Sequence, residues 1–248
     1  MPPKTVSVTG FKNSGKTRVV EALVKELSRR GYKVGTLKHT ADDIILDSPG
    51  KDTSRHREAG SIATGILQDN TTALFLDQKI SLHQATKKLG AIDYLVIEGF
   101  KTVDTHARVI VPREDYEVEK LDNGLVIATV KVPESKYTGE ALTLDDIVKL
   151  ADLVEEKAYP MLPGLDCHSC GYDDCGSMVA ALLNGEAKLD QCVGYRTDGT
   201  LKVNGVEVPM NNFIRKAMQN VVLGFVKTLK GAEGAKKVEL IFEVTDNE

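Results

Sequence analysis

No run of about 18 or more apolar residues occurs in this chain of 248 residues, which excludes a helical membrane span. Neither sign of charge is in large excess. The 36 acidic and 32 basic residues leave a net charge of −4, so no strong pull toward nucleic acid or an anionic membrane is expected. Met1-Pro2-Pro3-Lys4 runs straight into an apolar segment without a secretory leader, and the expected location is the cytoplasm. Cysteine is scarce. There are 4, and in a cytoplasmic chain they are not expected to form structural disulfides. Internal repeats and low-complexity tracts are absent. What remains is an ordinary globular composition, 42% hydrophobic and 27% charged, sized for one large domain or two smaller ones.

Residues 10 to 17 read Gly10-Phe11-Lys12-Asn13-Ser14-Gly15-Lys16-Thr17, a complete G-x-x-x-x-G-K-T phosphate loop. Its flanks fit as well. The apolar run Thr5–Thr9 reads as a buried strand. A helical stripe follows, with Val19, Val20, Leu23, Val24 and Leu27 on one face, and Gly31 stops it after Arg29 and Arg30. In a strand–loop–helix unit the loop N–H groups and the helix N-terminus hold phosphate. Gly10, Lys12, Asn13, Ser14 and Gly15 would form the cradle. Lys16 would reach the β- and γ-phosphates, and the Thr17 hydroxyl would ligate Mg²⁺.

Apolar segments alternate with helical patterns through about residue 157. The expected strands are Thr5–Thr9, Lys33–Leu37, Ser61–Ile66, Ala73–Asp77, Tyr94–Glu98, Ala107–Val111 and Leu125–Thr129. The expected helices are Thr17–Arg30, Thr53–Ala59, Ser81–Leu89 and Leu144–Lys157. Ser81 with Gln84, and Thr143 with Asp146, pair as N-terminal caps. This alternation predicts an α/β phosphate-loop domain with a mostly parallel sheet. A second unit begins at Pro160-Met161-Leu162-Pro163-Gly164 and holds every cysteine. After Tyr195 a small α/β cap is expected. It comprises a hairpin turning at Val203-Asn204-Gly205-Val206, a helix with Phe213, Ile214, Val221, Phe225 and Leu229 on its stripe, and a strand over Val238–Val244. The expected partition is 1–158, 159–195 and 196–248.

The buried segment Asp93–Gly99 places Glu98 at a strand's carboxyl end, where open α/β sheets bind ligands. Glu98 is therefore the candidate second Mg²⁺ group. Residues 36 to 60 are dense in polar groups. Thr36-Leu37-Lys38-His39 leaves a strand, and Arg55 and Arg57 could clamp an anion bidentately. By composition alone, a solvated, charged loop is the preferred reading of this segment.

Three strings change that weighting: Thr9 to Lys38, Asp47-Ser48-Pro49-Gly50-Lys51-Asp52-Thr53-Ser54-Arg55-His56-Arg57-Glu58-Ala59-Gly60, and Val96-Ile97-Glu98-Gly99-Phe100-Lys101. Together they resemble the molybdopterin-guanine dinucleotide biosynthesis protein B (MobB) family over about the first 155 residues. The resemblance implies GTP binding with Mg²⁺, weak GTP hydrolysis, a homodimer, and partnership with the enzyme that attaches a guanine nucleotide to molybdopterin. It assigns nucleotide and metal to Lys16, Thr17 and Glu98, with His39, Asp47, Lys51, Asp52 and Arg55 on the same face. No Asn-Lys-x-Asp string is present, so guanine preference rests on the resemblance.

The cysteines are spaced Cys167-x2-Cys170-x4-Cys175-x16-Cys192. Thiolates at such spacing suit an iron–sulfur cluster or Zn²⁺. Structural zinc usually takes paired C-x2-C knuckles, and the second pair is missing. Leu162-Pro163-Gly164-Leu165-Asp166-Cys167-His168-Ser169-Cys170-Gly171-Tyr172-Asp173-Asp174-Cys175-Gly176 and a following helix, Ser177–Leu183, resemble the small [4Fe–4S] module of corrinoid iron–sulfur and electron-transport proteins. His168 reads as a solvated loop histidine, since four thiolates complete a cluster. The function these readings imply is a GTP-binding accessory protein of molybdenum-cofactor biosynthesis carrying a [4Fe–4S] module. The alternatives are a phosphate-loop metallochaperone or cluster-assembly factor, and a redox-sensing module.

Overall fold

The computed structural model describes residues 2–40, 44–195, 199, 201–208, 210, 212–232, 234 and 237–241. The first part alternates β1 (Lys4–Thr9), α1 (Lys16–Arg29), β2 (Val34–Lys38), α2 (Asp52–Glu58), β3 (Ala63–Leu67), β4 (Thr72–Leu76), α3 (Leu82–Lys88), β5 (Tyr94–Glu98), β6 (Ala107–Ile110), α4 (Val118–Leu121), β7 (Val126–Thr129) and α5 (Ile147–Lys157). Then come α6 (Cys175–Leu183), β8 (Leu201–Val203), β9 (Val206–Val208) and α7 (Asn212–Val226).

Five strands form one parallel sheet in the order β2-β5-β1-β6-β7. Parallel neighbours need covered faces, and the central strands read accordingly as near-continuous buried runs. β6 is buried throughout, and so is β5 from Tyr94 to Ile97. On one face α1 and α5 supply Val19, Leu23, Leu27, Leu150 and Val154 against Val6, Val8, Val96 and Val109. Ser81 caps α3 through a capping box with Gln84, as its sequence predicts.

β3 and β4 form as expected, but among the described residues they pair only with each other, antiparallel, with Ala63 opposite Leu76. α2 lies beside this hairpin and buries none of its residues. Arg57 of α2 donates to Asp77 at 2.8 Å and pins the two together.

The cysteine unit is joined to the sheet domain by backbone and core. Thr5 N–H donates to the Tyr159 carbonyl and Leu162 N–H to the Thr105 carbonyl, each at 2.9 Å. Leu125, beside β7, shares a core with Leu162, Met178, Val179, Leu182 and two of the cysteines, while Leu183 touches both cores. α6 starts two residues earlier than the sequence predicts, because Asp174 accepts from the Ser177 N–H at 2.6 Å and caps it.

The 204–205 turn is as expected. Asn204 and Gly205 both have positive φ, 51° and 76°, as a type I′ hairpin requires. Two expectations for the C-terminal unit are corrected. The α7 stripe is left largely uncovered by the described residues: Phe213 is 76% and Phe225 71% exposed. Residues 238–241 are not a strand, and Phe242 and Val244 lie outside the described residues. A strand needs a ladder partner for its N–H and C=O groups, and none of the described residues lies beside 238–241 as one.

Candidate functional site

The phosphate loop spans β1 to α1 and is built on two glycines where any side chain would meet a close contact. A Cβ at Gly10 would stand 2.4 Å from the Ser14 hydroxyl oxygen and 2.6 Å from the Val111 carbonyl oxygen. Gly15 has φ +87°, and a Cβ there would stand 2.6 Å from a Val132 methyl. Asn13 also takes a positive φ, 61°. Gly15 caps α1 without a side chain, and the first turn of α1 carries no acid. The orphan N–H groups of a helix start therefore face the loop with no competing carboxylate of their own.

Parallel register brings three elements to one end of the sheet. Val8 of β1 pairs with Glu98 of β5, and Lys38 of β2 pairs with Glu98 on the other side. The Thr17 hydroxyl lies 3.1 Å from both Glu98 carboxylate oxygens, and Lys38 Nζ stands 3.2 Å from one of them. Lys16 arches back over the loop and donates to the Phe11 carbonyl at 2.6 Å. Burial pushes its pKa below the ordinary lysine value. The Glu98 carboxylate opposes this, while Lys101, Lys38 and Arg113 add to it.

Lys101 and Arg113 are the contributors that the sequence did not single out as site residues. Lys101 Nζ lies 3.9 Å from the Phe11 ring centroid, and the Arg113 guanidinium 6.0 Å from it. Glu117 steadies Arg113 with a 2.6 Å ion pair. Lys101 sits in the Glu98-Gly99-Phe100-Lys101 string. Arg113 carries no local motif that would have marked it. Four cations, Lys16, Lys38, Lys101 and Arg113, thus stand against two carboxylates, Glu98 and Glu117, a charge surplus suited to a polyphosphate with its metal.

His39 follows β2. Its N–H donates to the Glu98 carbonyl at 2.9 Å, and its ring stacks 4.3 Å from that of Phe100. Lys12 is exposed on the loop. Asp47, Lys51, Asp52 and Arg55 are placed differently, on the α2 unit. Asp47 accepts from Thr53 at 3.1 Å there, and Lys51, Asp52 and Arg55 are exposed.

The four cysteines line one small cavity with Asp166, His168, Asp174 and Met178. Asp166 and His168 take positive φ, 43° and 54°, and so fold the segment around Cys167. Asp166 also accepts from the Cys175 N–H at 2.8 Å. Cys167 and Cys170 are half-buried, and Cys175 and Cys192 are buried. Burial pushes the Cys192 thiol up to about 11, and the neighbouring Cys175, Cys170 and Cys167 add to the shift. Burial likewise raises Cys175. Among the described residues no three His, Cys, Asp or Glu side chains meet at a single-ion geometry. What the four thiols share is a cavity wall. Four sulfur donors around one cavity fit the chemistry of an iron–sulfur cluster.

A sequence model of the family described as molybdopterin guanine dinucleotide synthesis protein B, MobB, matches residues 5–132. The chain belongs to the MobB family. A Methanocaldococcus jannaschii protein assigned as a molybdopterin-guanine dinucleotide biosynthesis adapter is 29% identical over 98% of each chain. A Bacillus subtilis protein assigned the same role is 33% identical, over 52% of this chain and 76% of its own. The solved structure of Bacillus subtilis MobB superposes with a TM-score of 0.54 at 27% identity, covering 63% of this chain and 98% of that one. Its fold is the phosphate-loop α/β fold described above. A second family model, for a proposed Fe-S cluster, matches residues 162–193. No described helix is long and apolar enough to cross a membrane.

Proposed function

We propose that this MobB-family chain is a guanine-nucleotide-binding adapter of molybdopterin guanine dinucleotide biosynthesis that carries a [4Fe–4S] module. The observation that carries the nucleotide site is the Thr17–Glu98 pair at 3.1 Å beside a cation-lined phosphate loop, in a chain matched to MobB over residues 5–132. In this reading the backbone from Gly10 to Thr17, including Lys12, Asn13, Ser14 and Gly15, cradles the phosphates. Lys16 neutralises them, and Thr17 and Glu98 hold Mg²⁺. Bound Mg²⁺ would supply charge neutralisation. Lys38, Lys101 and Arg113 add positive charge where negative charge gathers. Phosphoryl transfer in such sites needs positioning and neutralisation above all, so hydrolysis is expected to be slow.

His39 borders this face, and the family resemblance assigns Asp47, Lys51, Asp52 and Arg55 of the α2 unit to nucleotide handling as well. Residues 1–158 form the nucleotide domain, 159–195 the cluster module and 196–248 the terminal unit. Cys167, Cys170, Cys175 and Cys192 hold the cluster, which their common cavity and the Fe-S family match support. The partner is the guanylyl-transferring enzyme of the pathway, and the working form is a homodimer. Both follow from the family resemblance.

Calorimetric titration with Mg-GTP, against ATP as competitor, tests this. Lys16→Ala should weaken GTP by about 100-fold, since a hydrogen bond to a charged group is worth ~1.5–3 kcal/mol. Unchanged affinity in the variant, or ATP displacing GTP at equal concentration, would contradict the assignment.

A further inference from the structure

Guanine preference has no motif in this sequence, so a group that reads the base has to come from the folded site. In the nucleotide reading above, Thr17 and Glu98 hold the metal, and with it the β- and γ-phosphates, on the β5 side of the loop. β6 lies on the other side of β1, with β7 beyond it. The α-phosphate and nucleoside then leave toward the loops that follow β6 and β7. The loop after β7 leans on the phosphate loop. Val132 is buried there, and its methyl is the group that a Cβ at Gly15 would strike. The Ser135 N–H donates to the Val132 carbonyl at 2.9 Å and closes a turn with Pro133 and Glu134 at its centre. The Ser135 hydroxyl donates to the Pro112 carbonyl, and the Lys136 N–H to the Arg113 carbonyl, each at 2.7 Å. The two loops are thereby tied together.

Two carboxylates on these loops are already committed. Glu117 is 1% exposed and binds the Arg113 N–H and guanidinium. Asp115 accepts from the Thr138 N–H and hydroxyl, both at 2.8 Å. Glu134 differs. Its side chain is 71% exposed, and its two oxygens lie 3.0 and 2.9 Å from one terminal nitrogen of Arg18, the residue after Thr17 in the first turn of α1. Its own N–H and Arg18 hold its carboxyl below the usual carboxylate range, so it is an ionised acceptor at neutral pH. An exposed ion pair of this kind is weak and exchanges readily.

We infer that Glu134 is the residue that selects guanine, its carboxylate accepting from N1–H and the exocyclic amino group of the base, with Arg18 holding it in place until the base arrives. The inference rests on the nucleotide reading of the phosphate loop. Guanine presents two adjacent donors on that edge, which two carboxylate oxygens match. Adenine presents a lone pair at N1, which a carboxylate repels.

The test measures the affinity of the full chain, purified anaerobically, for the Mg complexes of GTP, ITP, XTP and ATP. ITP lacks the exocyclic amino group, and XTP carries a carbonyl oxygen in its place. The parent should bind GTP at least about tenfold more tightly than any of the other three. Glu134→Gln replaces one acceptor by a donor amide, which matches xanthine. It should lose about tenfold or more in GTP affinity and gain XTP by a similar factor. Glu114→Gln, exposed on the loop after β6, should keep the parent's order of affinities. A parent that prefers GTP, with the same order in Glu134→Gln, would overturn this inference and leave the nucleotide reading standing. A parent that binds ATP as tightly as GTP would overturn both. A uniform fall for all four nucleotides in Glu134→Gln would show a residue that only shapes the loop, and a swap produced by Glu114→Gln instead would place the reader elsewhere; either overturns the inference.

Discussion

Lys16, Thr17 and Glu98 could be read from the sequence because their roles are local. A glycine loop between a strand and a helix fixes the first two, and a strand end fixes the third. Lys101 and Arg113 were not legible as site residues. Each reaches the Phe11 ring from β5–β6 or beyond, and only the folded sheet brings them there. His106 was equally silent in the sequence. It is 2% exposed at the start of β6, and burial lowers its pKa from 6.5 to about 3, with Arg108 adding to the shift. The folded state therefore keeps His106 neutral while the unfolded chain protonates it below about 6.5. The stability this confers is complete above that pH and is lost progressively as pH falls toward 3. One proton taken up on unfolding corresponds to a slope of up to ~1.4 kcal/mol per pH unit. Urea unfolding between pH 6.5 and 4 should show a shallower pH slope for His106→Phe than for the parent. Equal slopes would show that His106 titrates normally in the fold.

At the scale of elements, the phosphate loop works because its turn into α1 is held in a shape only glycine takes. Gly15→Ala faces both a φ of +87° and a 2.6 Å clash with Val132. We expect it to cost ~1–3 kcal/mol of stability and to weaken GTP more than a surface alanine would. Thermal denaturation and GTP titration of this variant should both move; a parent-like melting point would mean that Val132 gives way freely. Most strand and helix positions up to α5 followed from period and capping, but the single-turn α4 was not among the expected helices, and α2 has neither a buried residue nor a side-chain cap. The β3–β4 hairpin showed its strands but not its separation from the sheet, since period-two patterning does not say which edge a strand joins. The α7 stripe misled for the opposite reason. Its spacing is that of a core helix, yet Phe213 and Phe225 find no cover among the described residues.

The whole molecule couples two readings that the sequence kept apart. Strand order β2-β5-β1-β6-β7 depends on crossovers and was not legible from patterning. Nor was the docking of the cysteine unit, which rests on Leu125, Leu183 and the Thr105–Leu162 backbone bond. The segment from Glu98 to Thr105 spans both sites. Glu98 faces Thr17 at one end, and the Thr105 carbonyl holds the cysteine unit at the other. Between them Arg108, 2% exposed, donates to the Lys101, Val103 and Leu121 carbonyls and fixes the segment's path. A buried guanidinium whose two terminal nitrogens bond only carbonyls is a packing solution that no motif announces. The central claim is that one chain holds a MobB-type guanine nucleotide and an iron–sulfur cluster together. The most direct measurement is the stoichiometry of Mg-GTP, iron and acid-labile sulfide on a single anaerobically purified sample. The account predicts one GTP with about four irons and four sulfides per chain. Zinc without iron, or a protein that retains iron but takes up no Mg-GTP, would contradict it.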